Sequence, residues 1–381
     1  ETYAGAAPPA VSSQVAQPLR WPANVAGSDA FIDQFWQQRT LFMPAAIDFD
    51  PYLDVDDLAG LATLEDVEST LIETRNDLDE PRYAVRQGPF TEATLLRLGD
   101  SHWTLLLHDV DVHVPQTRAL FRYLTFIPSW RIDNLMVSIA APGGSVGAHA
   151  DSYDVLLLQG SGERTWHTAA AGAGSVVTDH PLRLRRDVTF EQHFQARCGD
   201  VLYVPPGEIH HGVANSLCTT WSLGMQAPLL SDIAALTDGT VDPGLDAGAR
   251  YRDDALAPRM PGQILPEDVT HLPITGTTID QLIIALGILV TQCKAHLQRP
   301  PCDPAGMLER ADAAGLAWAL VDGHCIVFAN GQYWHTHTQA AHTVATAVRD
   351  DVWPADADPE LTRWVATTGA LQPAGAPPGL T

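Results

Sequence analysis

The sequence has almost no lysine: of 22 basic residues only Lys294 is one, against 46 Asp and Glu, giving a formal charge of −24 over 381 residues. That deficit argues against DNA or RNA as a direct ligand, because nucleic-acid binders gain affinity by neutralising phosphates with Lys and Arg. It suits equally the attraction of a basic polypeptide or a surface adapted to a salt-rich solvent. Cysteine is scarce as well. Cys198, Cys218, Cys293, Cys302 and Cys325 are odd in number and form no Cys-x-x-Cys, which removes a disulfide framework and a zinc knuckle from consideration. Long apolar runs are missing too; the longest candidate, Leu282 to Val290, is too short to span a bilayer. No basic, apolar, small-residue signal opens the sequence, so a cytoplasmic setting without a membrane is expected. Apolar residues nevertheless make up 45% of the chain, enough for a packed core divided among two or three units.

Against this background two segments stand out, PGGSVGAHADSYDVLLLQGSGERTW at 142–166 and GDVLYVPPGEIHHG at 199–212. His149 and Asp151 are two apart, so on or beside a strand they project to one side. With one of His210 and His211 they would offer two imidazoles and one carboxylate to a single iron(II), leaving the opposite positions open. The His-x-Asp pair alone is weak, since chance predicts about two His-x-Asp/Glu matches in such a composition. Context adds weight. Pro142, Gly143, Gly144 and Gly147 form a loop leading to the first ligand. Val155 to Leu158 reads as a buried strand, Gly160-Ser161-Gly162 as a turn, and Arg164 lies on the returning strand. A planar guanidinium emerging there would match the far carboxylate of a dicarboxylate in two places. Val201 to Val204 reads as a strand turned by Pro205-Pro206-Gly207 immediately before the histidines. A second histidine group, His335, His337 and His342, has no carboxylate or Gly-rich setting beside it and is read as structural.

At these residues the chain resembles the JmjC-type 2-oxoglutarate oxygenases, and within them the bacterial ribosomal oxygenases, which hydroxylate an arginine in a large-subunit ribosomal protein. The pattern PGGxVGxHxDxYDVxxxQGxGxRxW is matched residue for residue, and GDxLYxPPGxxHxG selects His210 over His211 as the distal ligand. The likeness extends to FIDQFWQQRTLFM at 31–43, WRIDNLM at 130–136, RYRDDALAPRMPGQILPEDV from Arg250 and FANGQYW from Phe328. The resemblance implies Fe(II) held by His149, Asp151 and His210, with 2-oxoglutarate and O2 as co-substrates and succinate and CO2 as co-products. It implies Arg164 on the 5-carboxylate of 2-oxoglutarate, with Ser138 and Thr220 as further contacts. Tyr153, Asp154 and Glu208 flank the ligands and suit a substrate guanidinium. A ribosomal-protein histidine, a methylated lysine, and a non-enzymatic metal-binding cupin scaffold are the alternative readings.

The expected architecture is mixed α and β in three parts. A double-stranded β-helix (cupin/JmjC) catalytic domain is expected over 1–226, a helical dimerisation domain over 227–300 and a winged-helix-like domain over 301–381. Residues 1 to about 20, rich in Ala, Pro and Ser, read as a loose leader. Ser28 or Asp29 is expected to cap a helix carrying Phe31, Ile32 and Phe35, and Gln116 to Ile127 a second helix. The charged connection from Asp179 to Gln195 reads as scaffold. Leu282, Ile283, Leu286, Leu289 and Val290 form an apolar helical stripe, which the resemblance assigns to pairing two protomers. Met307 to Gly315 reads as helix. Asp322-Gly323 and Asn330-Gly331 are hairpin signals between short strands, with helices near 339–349 and 359–368 beyond them.

Overall fold

Side chains that alternate between two apolar environments close the first part of the chain into facing sheets. The computed structural model describes residues 19–51, 53–75, 82–254 and 256–376, so the expected leader lies almost wholly outside the described residues. The larger sheet has eight strands in the order β1 (Leu41–Met43), β12 (Val201–Val204), β7 (Val155–Ser161), β14 (Cys218–Met225), β5 (Ile132–Ala140), β4 (Trp103–Leu107), β2 (Ser69–Arg75) and β3 (Arg82–Gln87). The smaller has four, β11 (Gln192–Arg197), β8 (Glu163–Ala169), β13 (Ile209–Ala214) and β6 (His149–Ala150). A short pair, β9 (Ser175–Val176) with β10 (Arg185–Arg186), lies beyond the end of β8 in sequence.

The period-two alternation of strands decides which residues face which core. Leu135, Val137 and Ile139, Leu156 and Leu158, Val201 and Tyr203, and Trp221 and Leu223 turn outward onto Phe31, Trp36, Leu120 and Leu124. Their alternates Val155, Leu157, Leu202 and Val204 turn inward onto Trp166 and Ala196 of the small sheet. Position 220 faces the interior between these rows, directly opposite Ser138 in the β14–β5 register.

Several local expectations need correction. The first helix, Ser28–Gln34, begins after Gly27 without any side-chain cap, so Ser28 and Asp29 lie inside it. Residues 115–124 form a 3₁₀ helix that begins at Pro115, one residue ahead of the expected start. Gly160 and Ser161 belong to β7; the turn to β8 is Gly162 alone, at φ 59°.

A buried ion network ties the larger sheet to the segment that follows. Arg131 and Asp154 are both 0% exposed and pair at 3.0 Å, with Asp253 3.3 Å from the same guanidinium. Tyr203 donates to Asp154 at 2.6 Å, Gln37 donates to it at 2.9 Å, and Trp36 donates to Asp253 at 3.0 Å. The Tyr251 ring lies 5.3 Å from the guanidinium. Burial pushes the Asp154 carboxyl up, while Arg131, Tyr203 and Gln37 hold it down.

Past Gln226, β15 (Thr240–Val241) pairs with β17 (Ile274–Thr275), and a capping box formed by Thr278 and Gln281 starts the helix Ile279–Val290. Its apolar stripe is largely used within the chain. Leu282, Ile283, Leu286 and Val290 share a core with Ala317, Ala319, Ile326 and Phe328, and Gly287 sits where an added Cβ would lie 2.3 Å from the Phe328 ring. Those partners come from a four-stranded sheet ordered β16 (Gln263–Ile264), β19 (Leu316–Val321), β20 (His324–Ala329) and β21 (Gln332–Thr336). Residues from both sides of the expected linker at 299–301 thus form one core. The hairpins fall where expected, with Asp322 and Gly323 at φ 49° and 79° and Asn330 and Gly331 at 46° and 75°. The helices Ala340–Asp350 and Pro359–Thr367 follow. The helix expected over 307–315 is absent: β18 (Leu308–Arg310) instead pairs with β22 (Leu371–Pro373), a tertiary partner that overrides local helix propensity.

Removing one partner of the buried network strands a charge in the interior. Asp154→Ala is expected to cost roughly 3–5 kcal/mol of unfolding free energy in a urea titration; a loss under 1 kcal/mol would mean the network contributes little.

Candidate metal centre

The three expected ligands converge because two short strands meet at one register position. In the β13–β6 pair His210 lies directly opposite His149, and their rings stand 4.2 Å apart between centroids. Asp151 follows β6 by one residue, with its Oδ2 3.5 Å from His210 Nε2. One ligand atom from each of His149, Asp151 and His210 lies within 4.8 Å of the other two. His335, His337 and His342 do not converge in this way among the described residues.

The local sequence sets each ligand's direction. Gly147 adopts φ 83°, and an added Cβ there would lie 2.5 Å from Leu184, so a glycine is required. Its carbonyl lies 3.0 Å from His149 Nδ1, which therefore donates to it and leaves Nε2 with its lone pair free. Gly207, in the turn before His210, donates its N–H to the Asp151 carbonyl at 2.8 Å, joining the two ligand segments by backbone. His210 is 2% exposed, and burial with help from His149 and opposition from Asp151 takes it down to about 4. It is thus neutral near pH 7, the form a metal requires. His211 points to the opposite face of β13, as alternation demands.

Arg164 lies inside the barrel, 3% exposed, on β8. Its Nη2 reaches only the Cys218 sulfur, at 3.8 Å, and its Nε has no partner among the described residues. No carboxylate among the described residues pairs with it, while the Trp166 ring lies 5.5 Å from the guanidinium and 6.0 Å from the His210 ring. Gly212 makes room for this indole; an added Cβ would lie 2.6 Å from it. A desolvated guanidinium with unused donors is costly unless an anion completes it. Ser138 and Thr220 are 4% and 1% exposed, and Thr220 donates to Gln159 Oε1 at 3.1 Å.

The flanking candidates divide. Tyr153 is 39% exposed beside Asp151, whose charge and partial burial raise its phenol pKa. Asp154 is not available to a substrate, because its carboxylate is wholly taken up by Arg131, Tyr203 and Gln37. The Glu208 carboxylate accepts from the backbone N–H and hydroxyl of Thr40, fastening β13 to the start of β1. Two contributions were not drawn from the sequence. Gln159 faces the interior beside Thr220, and its signal was a lone amide in the apolar run LLLQG. The segment 182–186, expected to be scaffold, runs along the first ligand strand: Leu184 bridges to His149 and Arg185 donates to Ala148. A cleft of about 820 Å³ lies elsewhere, lined by Asp109, Asp111, Asp133 and Lys294 among others.

Residues 119–233 match the JmjC domain family. The chain is 34% identical over 260 residues to the ribosomal protein uL16 3-hydroxylase of Escherichia coli, across 67% of this chain and 65% of that protein. The chain thus spans slightly less than two thirds of that relative's length. An X-ray structure of E. coli YcfD matches with a TM-score of 0.69 at 25% identity, covering 93% of this chain and 100% of that one. The structure of YcfD, a ribosomal oxygenase, with cobalt and 2-oxoglutarate matches in fold at TM-score 0.63 and 24% identity, covering 90% and 97%.

A His210 held near 4 in the folded state, against 6.5 when exposed, binds fewer protons than the unfolded chain between those values. Stability of the metal-free protein should therefore fall with acidification, by about 2 kcal/mol from pH 6.5 to 5. Urea midpoints across that range should slope in wild type and slope less steeply in His210→Gln, where His211, also taken down to about 4 by burial, still contributes; parallel slopes would contradict the assignment.

Proposed function

We propose, from the JmjC-domain match over residues 119–233 and the likeness to bacterial ribosomal oxygenases, that the chain is an iron(II)- and 2-oxoglutarate-dependent oxygenase hydroxylating an arginine of a large-subunit ribosomal protein. The observation that carries this reading is the buried, anion-less guanidinium of Arg164 inside the barrel that holds His149, Asp151 and His210. A dicarboxylate bound to the metal at one end would bring the missing anion at the other. A protein acting only as a scaffold has no reason to keep such a charge desolvated. The relatives support the same choice, one being a uL16 3-hydroxylase and YcfD having been solved with cobalt and 2-oxoglutarate.

When bound, iron and 2-oxoglutarate supply the oxidising chemistry, in which one oxygen atom of O2 goes to succinate as CO2 leaves and the other enters a substrate C–H bond. The chain's own tasks are placement and exclusion of water. His149, Asp151 and His210 would hold the metal through two imidazoles and one carboxylate. Gly147 fixes the His149 ring through its Nδ1 hydrogen bond. Arg164, with Ser138 and Thr220 on the facing strands, orients the co-substrate's far carboxylate. Trp166, Leu157 and Leu202 keep the adjoining interior dry. Tyr153, at the rim beside Asp151, is the proposed contact for the incoming guanidinium.

The acidic surface, at −24 formal charge, supports a basic polypeptide partner over nucleic acid. No helix among the described residues is long and apolar enough to cross a membrane. A ribosomal substrate accords with a cytoplasmic setting. A homodimer formed through 227–300 belongs to the same proposal and is supported by the apolar side chains that segment leaves exposed, Leu236, Leu245 and Ile279. The two tight hairpins and following helices of 301–381 support a winged-helix-like interaction module.

Asp151→Ala should abolish substrate-dependent succinate formation and the gain of one oxygen atom in the mass of the ribosomal protein. Arg164→Met should keep metal binding but raise the KM for 2-oxoglutarate about tenfold or more, the worth of a charge-assisted hydrogen bond. Unchanged KM in Arg164→Met, with metal still bound, would remove the central support.

A further inference from the structure

The outer face of the small sheet carries a row of histidines that the inner site does not use. By the alternation that turns Arg164, Trp166 and His210 inward, His167 and His211 turn outward. In the β11–β8 register His193 lies directly opposite His167, and in the β13–β8 register His211 lies opposite the same residue from the other side. His167 is thus the middle of three imidazoles on three neighbouring strands. Its ring is 4.8 Å from that of His193 and 5.9 Å from that of His211, with Phe190 against both His167 and His211.

The His167 and His193 Nδ1 atoms approach to 2.5 Å. Such a contact is an Nδ1–H···Nδ1 hydrogen bond when one ring carries its proton on Nδ1 and the other on Nε2, and a cation can take the place of that proton by binding both nitrogens. Burial and the neighbouring His193 lower the pKa of His167, which favours the uncharged ring that a metal requires. Cross-strand neighbours are also spaced for chelation. Metal–nitrogen bonds of about 2.0–2.1 Å at a tetrahedral centre put two nitrogens about 3.3 Å apart, a small opening of the present contact by ring rotation. The formal charge of −24 favours cation accumulation around the molecule.

We propose that His167 and His193 form a second, surface site for a divalent transition cation of the zinc, nickel or copper(II) class, with His211 as the adjacent third imidazole. Imidazole-rich sites without a carboxylate favour these ions over magnesium or calcium. The site is separate from the inner ligand set, because its side chains leave the opposite face of the sheet. A cation bound there would join β11 to β8, the strand carrying Arg164, and so brace the small sheet from outside.

The test is a calorimetric titration of zinc into the metal-free full-length protein near pH 7.5. Wild type should take up two equivalents per chain. Asp151→Ala should lose one and keep the other, whereas His193→Gln, at an exposed position, should show the reverse loss. Zinc should also raise the melting temperature of Asp151→Ala but not of the Asp151→Ala/His193→Gln double variant. A single equivalent in wild type, or a second one that His193→Gln weakens less than tenfold, would overturn the site, the latter pointing to a thiol such as exposed Cys198 instead. Since the His193→Gln readout is zinc uptake and not turnover, its failure is distinguishable from failure of the oxygenase reading.

Discussion

The whole arrangement depends on His210 standing directly across from His149 in the β13–β6 pair. A strand's side chains alternate, so a slip of one residue would turn His210 outward and bring His211 in, while moving Asp151 off the cluster. The register is therefore fixed at several points. Gly212 receives the Trp166 indole, a fit that any larger residue would block. The Gly207 N–H holds the Asp151 carbonyl, and Glu208 fastens the same turn to Thr40. Asp154, three residues from a ligand, anchors that ligand segment to Arg131 and, through it, to Asp253. The buried ion network thus acts on chemistry it never touches. Stability and site geometry are here one property, because the residues that hold the barrel closed are the chain neighbours of those that hold the ligand atoms together.

Arg164 represents the opposite bargain. Asp154 and Arg131 are both fully buried and satisfy one another, whereas Arg164 is nearly as buried and has no charged partner among the described residues. A globular protein tolerates such a group when a ligand completes it, because the desolvation already borne in the empty state then adds to the preference for an anion of the right shape. Indole packing on one side and the Cys218 sulfur on another limit how the guanidinium can turn. In the proposed reading such a preorganised cation would discriminate by charge and by distance from His149, Asp151 and His210, and so separate a dicarboxylate from a simple acid.

Much of the centre was legible because its signals are local. The glycine loop, the His-x-Asp pair and the PPG turn before His210 each specify a backbone shape within a few residues, and the structure has those shapes, while the turn before Arg164 is shorter than expected, at Gly162 alone. The resolution of His210 from His211 needed the resemblance, since both are equally good ligands until the register is known. Asp154 was misread for a corresponding reason. An acid beside the ligands looks like part of the pocket, and only partners at 37, 131 and 203, remote in sequence, reveal that its carboxylate is spent inward. The segment 182–186 carries no motif, yet it lines the first ligand strand because folding brings it there. Likewise the strand at 308–310 is set by its partner at 371–373, which local propensity cannot report.

The same reasoning bears on how the parts of the chain act together. Composition places linkers at Pro- and Gly-rich stretches, but the core containing the helix Ile279–Val290 draws Ala317, Ala319, Ile326 and Phe328 from beyond such a stretch, and β16 adds a parallel edge to the later sheet. A helix whose apolar stripe is already covered within its own chain has little left to offer a second copy along that face. Any pairing surface must then use what remains outside, where Leu236, Leu245 and Ile279 are exposed. Because Trp130, adjoining Arg131, also packs into that core and donates to the Gln263 carbonyl, the later units are coupled to the strand that leads into the barrel. A perturbation of the helical core would therefore reach β5, the strand that carries Ser138.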